Sequence, residues 1–164
     1  MEKGKEESTN QSNKSFYRAL YTSVGVRPFY TQAGLDDCID LETAIAHRML
    51  PEDKQARILI IGAGDGREIE FLLNHSYSNI TALERDKIAT DLLKEKYQEK
   101  EGISIIRKNI KKYVPDERFD CVIWMWCGFD DFSKQEQKMM IPQILQLLKP
   151  KGSFILDNPI ISSA

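Results

Sequence analysis

From residue 57 the apolar and polar positions alternate between two rhythms. Arg57-Ile-Leu-Ile-Ile61 is a short aliphatic run that suits a parallel strand buried on both faces. Glycines follow at once, then a helical stretch over Glu68–Asn74. Asn79–Glu84 reads as a second strand. Asp86–Gln98 reads as a helix with Ile88, Leu92, Leu93 and Tyr97 on one side. Ile103–Arg107 is a third strand, Pro115–Arg118 a loop, and Phe119–Trp126 a fourth strand. The next helix, Ser133–Leu148, opens on the capping box Ser133-Lys-Gln-Glu136 and places Ile141, Ile144, Leu145 and Leu148 on one face. Pro142 inside it predicts a kink or a restart. Pro150 and Gly152 end the pattern, and Ser153–Leu156 is a fifth strand.

This alternation predicts an α/β fold: a doubly wound, mostly parallel sheet of about five strands, helices on both faces, right-handed crossovers. Ligands of such sheets bind at the carboxyl ends of the strands, where the strand order reverses. Upstream the rhythm is different. Residues 1–14 are polar and lack aromatics, which predicts a flexible tail. Residues 15–51 carry Phe16, Tyr17, Tyr21, Phe29 and Tyr30 and read as an N-terminal helical cap. Its helices run through Phe16–Tyr21 and from Asp36 or Asp37 to Met49, closed by Pro51. The ligand-binding domain is then 52–164.

The composition is that of an ordinary globular chain. The 164 residues are 41% hydrophobic and 29% charged, enough for one sizeable core. A net charge of −2 gives no indication of a nucleic-acid or membrane-surface binder. Arg107-Lys108 and Lys111-Lys112 form a small basic cluster that fits a solvated loop better than an RNA contact. Three cysteines without a Cys-x-x-Cys, and two histidines, predict neither a disulfide framework nor a metal site. No secretory h-region and no apolar run near ~20 residues occur, so the expectation is a soluble, cytoplasmic protein.

The sharpest chemical signal is Gly62-Ala63-Gly64-Asp65-Gly66-Arg67 between a strand and a helix. Gly62 suits a tight turn, Gly64 a close approach of backbone to ligand, and Gly66 close packing of helix on strand. The helix start offers free N–H groups to an anion. Alone, a G-x-G-x-G fits a plain turn equally well. Its partner is Glu84, 18 residues beyond Gly66 at the end of the second strand, where a carboxylate can accept both hydroxyls of a ribose.

With these elements in order, the sequence resembles the class I S-adenosylmethionine-dependent methyltransferases, a Rossmann-like family. The resemblance covers about residues 57–157 and rests on ILIIGAGDG, TALERD, FDCVIWMW and QLLKPKGSFILD. It implies S-adenosyl-L-methionine as cofactor. Gly62, Ala63, Gly64 and Gly66 would form its loop, and Arg67 would pair with its carboxylate. Glu84 would hold the ribose, Arg85 would lie against the adenine, and Asn109 with Ile110 would flank the adenine amine. Asn109 stands where the family usually has Asp, and Ile60 where many members have an acid. Trp126 would face the sulfonium through cation–π attraction. Tyr17, Tyr21 and Tyr30 fit either a lid over the cofactor or plain packing of an N-terminal helix.

Methyl transfer needs alignment more than covalent chemistry. If the acceptor is an amine arriving protonated, Asp130, Asp131 or Asp157 can take its proton. Asp130 is the candidate base; for Asp131 a loop position or a place near the Ser133 helix N-terminus fits better. The expected reading is a methyltransferase acting on an unidentified acceptor, a small molecule or a protein. Trp126 and Asp157-Asn158 faintly resemble protein N-terminal methyltransferases. The alternatives are a polyamine aminopropyltransferase of the spermidine-synthase kind, or a catalytically incomplete cofactor-binding partner subunit. Aminopropyltransferases carry an Asp-rich loop where this chain has Trp124-Met125-Trp126. The family sheet ends in an antiparallel hairpin beyond the fifth strand. Seven residues follow Asp157, so the expectation is a sheet lacking that hairpin, its fifth strand an edge open to self-association.

Overall fold

The computed structural model describes residues 48–126 and 128–157. The expected tail and all of the expected cap before Arg48, Tyr30 included, lie outside them.

Five parallel strands form one sheet: β1 (Ile58–Ile61), β2 (Ile80–Glu84), β3 (Ile103–Arg107), β4 (Phe119–Trp124) and β5 (Leu148–Leu156), in the order β3-β2-β1-β4-β5. The order reverses at β1, with β2 on one side and β4 on the other. Three helices connect them: α1 (Arg67–Asn74), α2 (Lys87–Tyr97) and α3 (Lys134–Leu147). A single 3-10 turn, Ile110–Lys112, follows β3.

The strands of β1 are buried on both faces, and the pleat sorts their side chains into two layers. Ile58 and Ile60 join Ile69 and Leu72 of α1 and Leu93 and Tyr97 of α2. Leu59 and Ile61 join Met140, Ile144 and Leu147 of α3, with Phe129 and Phe132. A fully buried Ile or Leu of this kind contributes about 1.5–3 kcal/mol.

Local signals set the helix starts. Asp86 caps α2 by accepting the N–H groups of Ile88 and Ala89 at 2.8 and 3.0 Å. At α3 the capping box forms in full: Ser133 Oγ accepts the Glu136 N–H, and Glu136 Oε2 accepts the Ser133 N–H. α1 has no side-chain cap, and Gly66 in a left-handed conformation turns the chain into it.

Three expectations need correction. Leu92 and Leu145 are half exposed, at 52% and 53%. Their places on the buried faces are taken by Ala89 and Thr90 in α2 and by Gln137 and Met140 in α3. Apolar spacing alone did not locate the inner face, because α2 and α3 each carry apolar residues on more than one side and bury the small or polar Ala89, Thr90 and Gln137 as well. Of the kink or restart expected at Pro142, α3 shows no restart: it is one helix through that residue. β5 begins at Leu148 rather than Ser153: Leu148 pairs with Phe119, and the register then shifts so that Ser153 pairs with Cys121. Among the described residues, β5 pairs with β4 only and is an edge.

Candidate functional site

A cavity of about 430 Å³ opens at the carboxyl ends of the strands, where the order reverses. Its wall comes from the loops after β1, β2, β3 and β4, which is where the alternation of elements places a ligand.

The glycine loop forms one side. Gly62, Gly64 and Gly66 have φ of +71, +54 and +85°, a left-handed conformation at every second residue that side chains disfavour. The loop is tied to β2 by backbone: Gly62 and Ala63 both donate to the Leu83 carbonyl, at 2.9 and 3.0 Å. Gly62, Ala63 and Gly64 line the cavity, as does Arg67; Gly66 does not. A Cβ on Gly66 would stand 2.7 Å from Leu93 Cδ2 and 3.1 Å from the Tyr97 ring. Gly66 therefore serves close packing between α1 and α2, not between helix and strand.

Glu84 sits at the end of β2, 6% exposed, and lines the cavity. Its Oε2 accepts the Gly64 N–H at 3.0 Å and its Oε1 the Asp86 N–H at 2.8 Å. Each oxygen keeps a lone pair beyond these bonds, so the carboxylate is oriented and still able to accept hydroxyl donors.

Arg85 also lines the cavity and pairs across it with Asp131, Nη2 to Oδ2 at 2.9 Å. Asn109 and Ile110 lie past β3 on the same wall, beside Lys108. The Asn109 side-chain oxygen accepts the Lys111 N–H at 3.0 Å, which starts the 3-10 turn. Of the two adjacent acids, Asp131 is on the wall. Asp130 is exposed and off the cavity, its Oδ1 3.5 Å from Gln137 Nε2. Gln137 is buried and donates to the carbonyls of Phe129 and Phe132, each at 3.1 Å, which turns the loop so that Asp130 faces out.

Trp124 also lines the cavity; it is buried and meets Phe129 and Phe132 edge-on, with centroids at 5.2 and 5.7 Å. The sequence assigns Trp124 no role in the site; its place at the end of β4, two residues before Trp126, is the signal that finds it. Trp126 lines the cavity with φ of +65°, and its N–H donates to Asp157 Oδ2 at 2.7 Å. The Arg67 guanidinium lies 3.0 Å from the centroid of its indole ring. That ring face was expected to meet a sulfonium; it already carries a cation.

Beside Arg67, burial pushes the Glu68 carboxyl up to about 7, against the opposing charge of Arg67. The buried Cys121 thiol is likewise pushed up to about 11 by burial, which makes it a poor nucleophile at neutral pH. Cys127 lies outside the described residues.

Residues 58–152 match the sequence model of a family described as a methyltransferase domain. In sequence the chain is similar to a polyamine aminopropyltransferase from Korarchaeum cryptofilum (strain OPF8), 30% identical over 54% of this chain and 30% of that protein. In structure it is similar to phosphoethanolamine N-methyltransferase 1 of Haemonchus contortus, solved with phosphoethanolamine and S-adenosylhomocysteine. That match has a TM-score of 0.74 at 18% identity, over 92% of this chain and 32% of that one. The glycopeptide N-methyltransferase MtfA, in complex with S-adenosylhomocysteine, matches with a TM-score of 0.62 at 19% identity, over 70% of this chain and 49% of that one. DhpI, from a complex with SAM and HEP, matches with a TM-score of 0.68 at 15% identity, over 92% and 67%. The chain thus spans about half of MtfA and under a third of the aminopropyltransferase.

Proposed function

The chain belongs to the methyltransferase-domain family, and on that premise we propose that its cavity binds S-adenosyl-L-methionine and presents the methyl group to a nucleophilic acceptor. The observation that carries this reading is the cavity itself. A left-handed glycine loop and a buried Glu84 bonded to its Gly64 N–H line one cavity of about 430 Å³, a volume within the range of small-molecule sites.

The residues present fit such a cofactor. Glu84 offers two oriented oxygens to a ribose. Arg67, held against Trp126, offers a fixed positive charge to an amino-acid carboxylate. Asn109 keeps one acceptor lone pair and two N–H donors, which suits the amine edge of an adenine. The bound cofactor supplies an electrophilic methyl on sulfur. What the protein supplies is alignment and exclusion of water, the terms that dominate when the leaving group is already activated. Asp131 is the acid on the wall, but its pairing with Arg85 makes it a holder of that guanidinium rather than a free base.

A second reading is an aminopropyltransferase, favoured by the sequence match to one. Its decarboxylated cofactor has no carboxylate for Arg67 to meet. Titration calorimetry with S-adenosylmethionine, S-adenosylhomocysteine and decarboxylated S-adenosylmethionine separates the two. Preference for the carboxylate-bearing ligands supports the methyltransferase, and preference for the decarboxylated one supports the alternative. Failure to bind any of them rejects both. Transfer of labelled methyl into a lysate then distinguishes an enzyme from a cofactor-binding partner subunit.

A further inference from the structure

Trp126 combines three features that nothing in the cofactor reading requires together. Its backbone is left-handed, with φ of +65°. For a bulky residue this brings Cβ against the following carbonyl, and it persists only where the surroundings fix it. Its N–H donates to the Asp157 carboxylate at 2.7 Å, a charge-assisted bond. Its ring carries the Arg67 guanidinium at 3.0 Å. Asp157 follows β5, Trp126 follows β4, and the two strands are paired up to Trp124 and Leu156. The bond therefore joins two neighbouring strand ends just where they leave the sheet.

We propose that Asp157 is a positioning residue: it locks Trp126 in the left-handed conformation and, through the indole ring, seats Arg67 at the glycine-loop end of the cavity. Without an acceptor at residue 157 the Trp126 backbone relaxes toward φ below zero. The indole then turns away from the cavity, and Arg67 loses the ring that aims it. On this account Asp157 acts through Trp126, its Oδ2 holding the Trp126 N–H, rather than as the proton acceptor of an incoming amine. The effect on ligand affinity rests on the cofactor reading above; the effect on Trp126 does not.

The test uses the full chain with Asp157→Ala and Asp157→Asn, the latter retaining a carbonyl oxygen that can accept the same N–H. The first measurement is acrylamide quenching of tryptophan fluorescence in the ligand-free protein. The chain has two tryptophans and Trp124 is buried, so quenching reads Trp126. D157A raises the quenching constant and D157N leaves it at the wild-type value. The second is calorimetry with S-adenosylhomocysteine. D157A weakens binding about tenfold, the scale of one charged hydrogen bond, and D157N stays near wild type. Unchanged quenching in folded D157A overturns the lock, as does a D157N variant that behaves like D157A. Unchanged affinity in D157A, with raised quenching, overturns the seating of Arg67. If the wild-type protein takes up no S-adenosylhomocysteine, the cofactor reading falls, and quenching alone decides the lock.

Discussion

Glu84 Oε2 accepts the backbone N–H of Gly64 at 3.0 Å, so the end of β2 and the middle of the glycine loop are joined by one hydrogen bond in the cavity wall. The same carboxylate is thus both a structural acceptor and the group offered to a ribose. Glu84→Ala is expected to weaken S-adenosylhomocysteine by more than tenfold, because it removes charged acceptors worth about 1.5–3 kcal/mol each and frees the loop. Glu84→Gln, which keeps one acceptor oxygen, should fall between. Calorimetry on both variants checks the order.

Gly64→Val is expected to abolish S-adenosylhomocysteine binding while leaving the sheet folded. The residue lines the cavity at φ of +54°, where a β-branched side chain is strained and would project at the ligand. Circular dichroism establishes the fold and calorimetry the loss.

Gly66→Ala should behave in the opposite way. The added Cβ meets Leu93 at 2.7 Å and the backbone is held at φ of +85°. A cost of about 1–3 kcal/mol in unfolding free energy is expected. Affinity of the fraction that remains folded should change less than in the Gly64 variant, since Gly66 is off the cavity wall. Urea melts and calorimetry in parallel separate the two effects.

Glu68 gives a pH-dependent expectation. Burial raises its carboxyl from 4.5 to about 7 in the folded protein. Below 4.5 both states are protonated and the group has no effect. Between 4.5 and about 7 the unfolded chain releases its proton while the folded chain keeps it, so stability falls as pH rises. Above about 7 the penalty is constant. Glu68→Gln should therefore stabilise the protein at pH ~8 by up to about 3 kcal/mol and change little at pH ~4, as read from denaturant melts at the two pH values.

What could be read from the residues was whatever rested on local chemistry. The aliphatic run at Ile58–Ile61, the glycines behind it and the Ser133 capping box each act over a few residues, and each formed as its sequence implies. Glu84 was legible because a strand end and a glycine loop at that spacing meet in one crevice. What was not legible depended on which way a turn faces. Asp130 and Asp131 are chemically alike and adjacent. Buried Gln137 decides between them by holding the carbonyls of Phe129 and Phe132, a contact no periodicity encodes. Gly66 was placed in the cofactor loop by its motif, yet its neighbours Leu93 and Tyr97 come from a helix two elements away. The start of β5 at Leu148 was hidden by Lys-Pro-Lys-Gly, composition that signals a loop but here passes through a register shift beside β4.

The order β3-β2-β1-β4-β5 also dictates a sequence of assembly. Ile58 pairs with Ile80, 22 residues on, but with Cys121 only after 63 residues of intervening chain. Closing the longer loop costs about 0.9 kcal/mol more in chain entropy, and none of its reward arrives until β4 docks. The half built from β1, β2 and β3 can therefore gather first, with Glu84 and the glycine loop already in register, while Trp126 and Asp131 arrive with the second half. Trp126 and Asp131 follow β4, but the Asp157 that holds the Trp126 N–H follows β5, so a nascent chain gains the whole binding wall only when β5 has emerged and paired with β4.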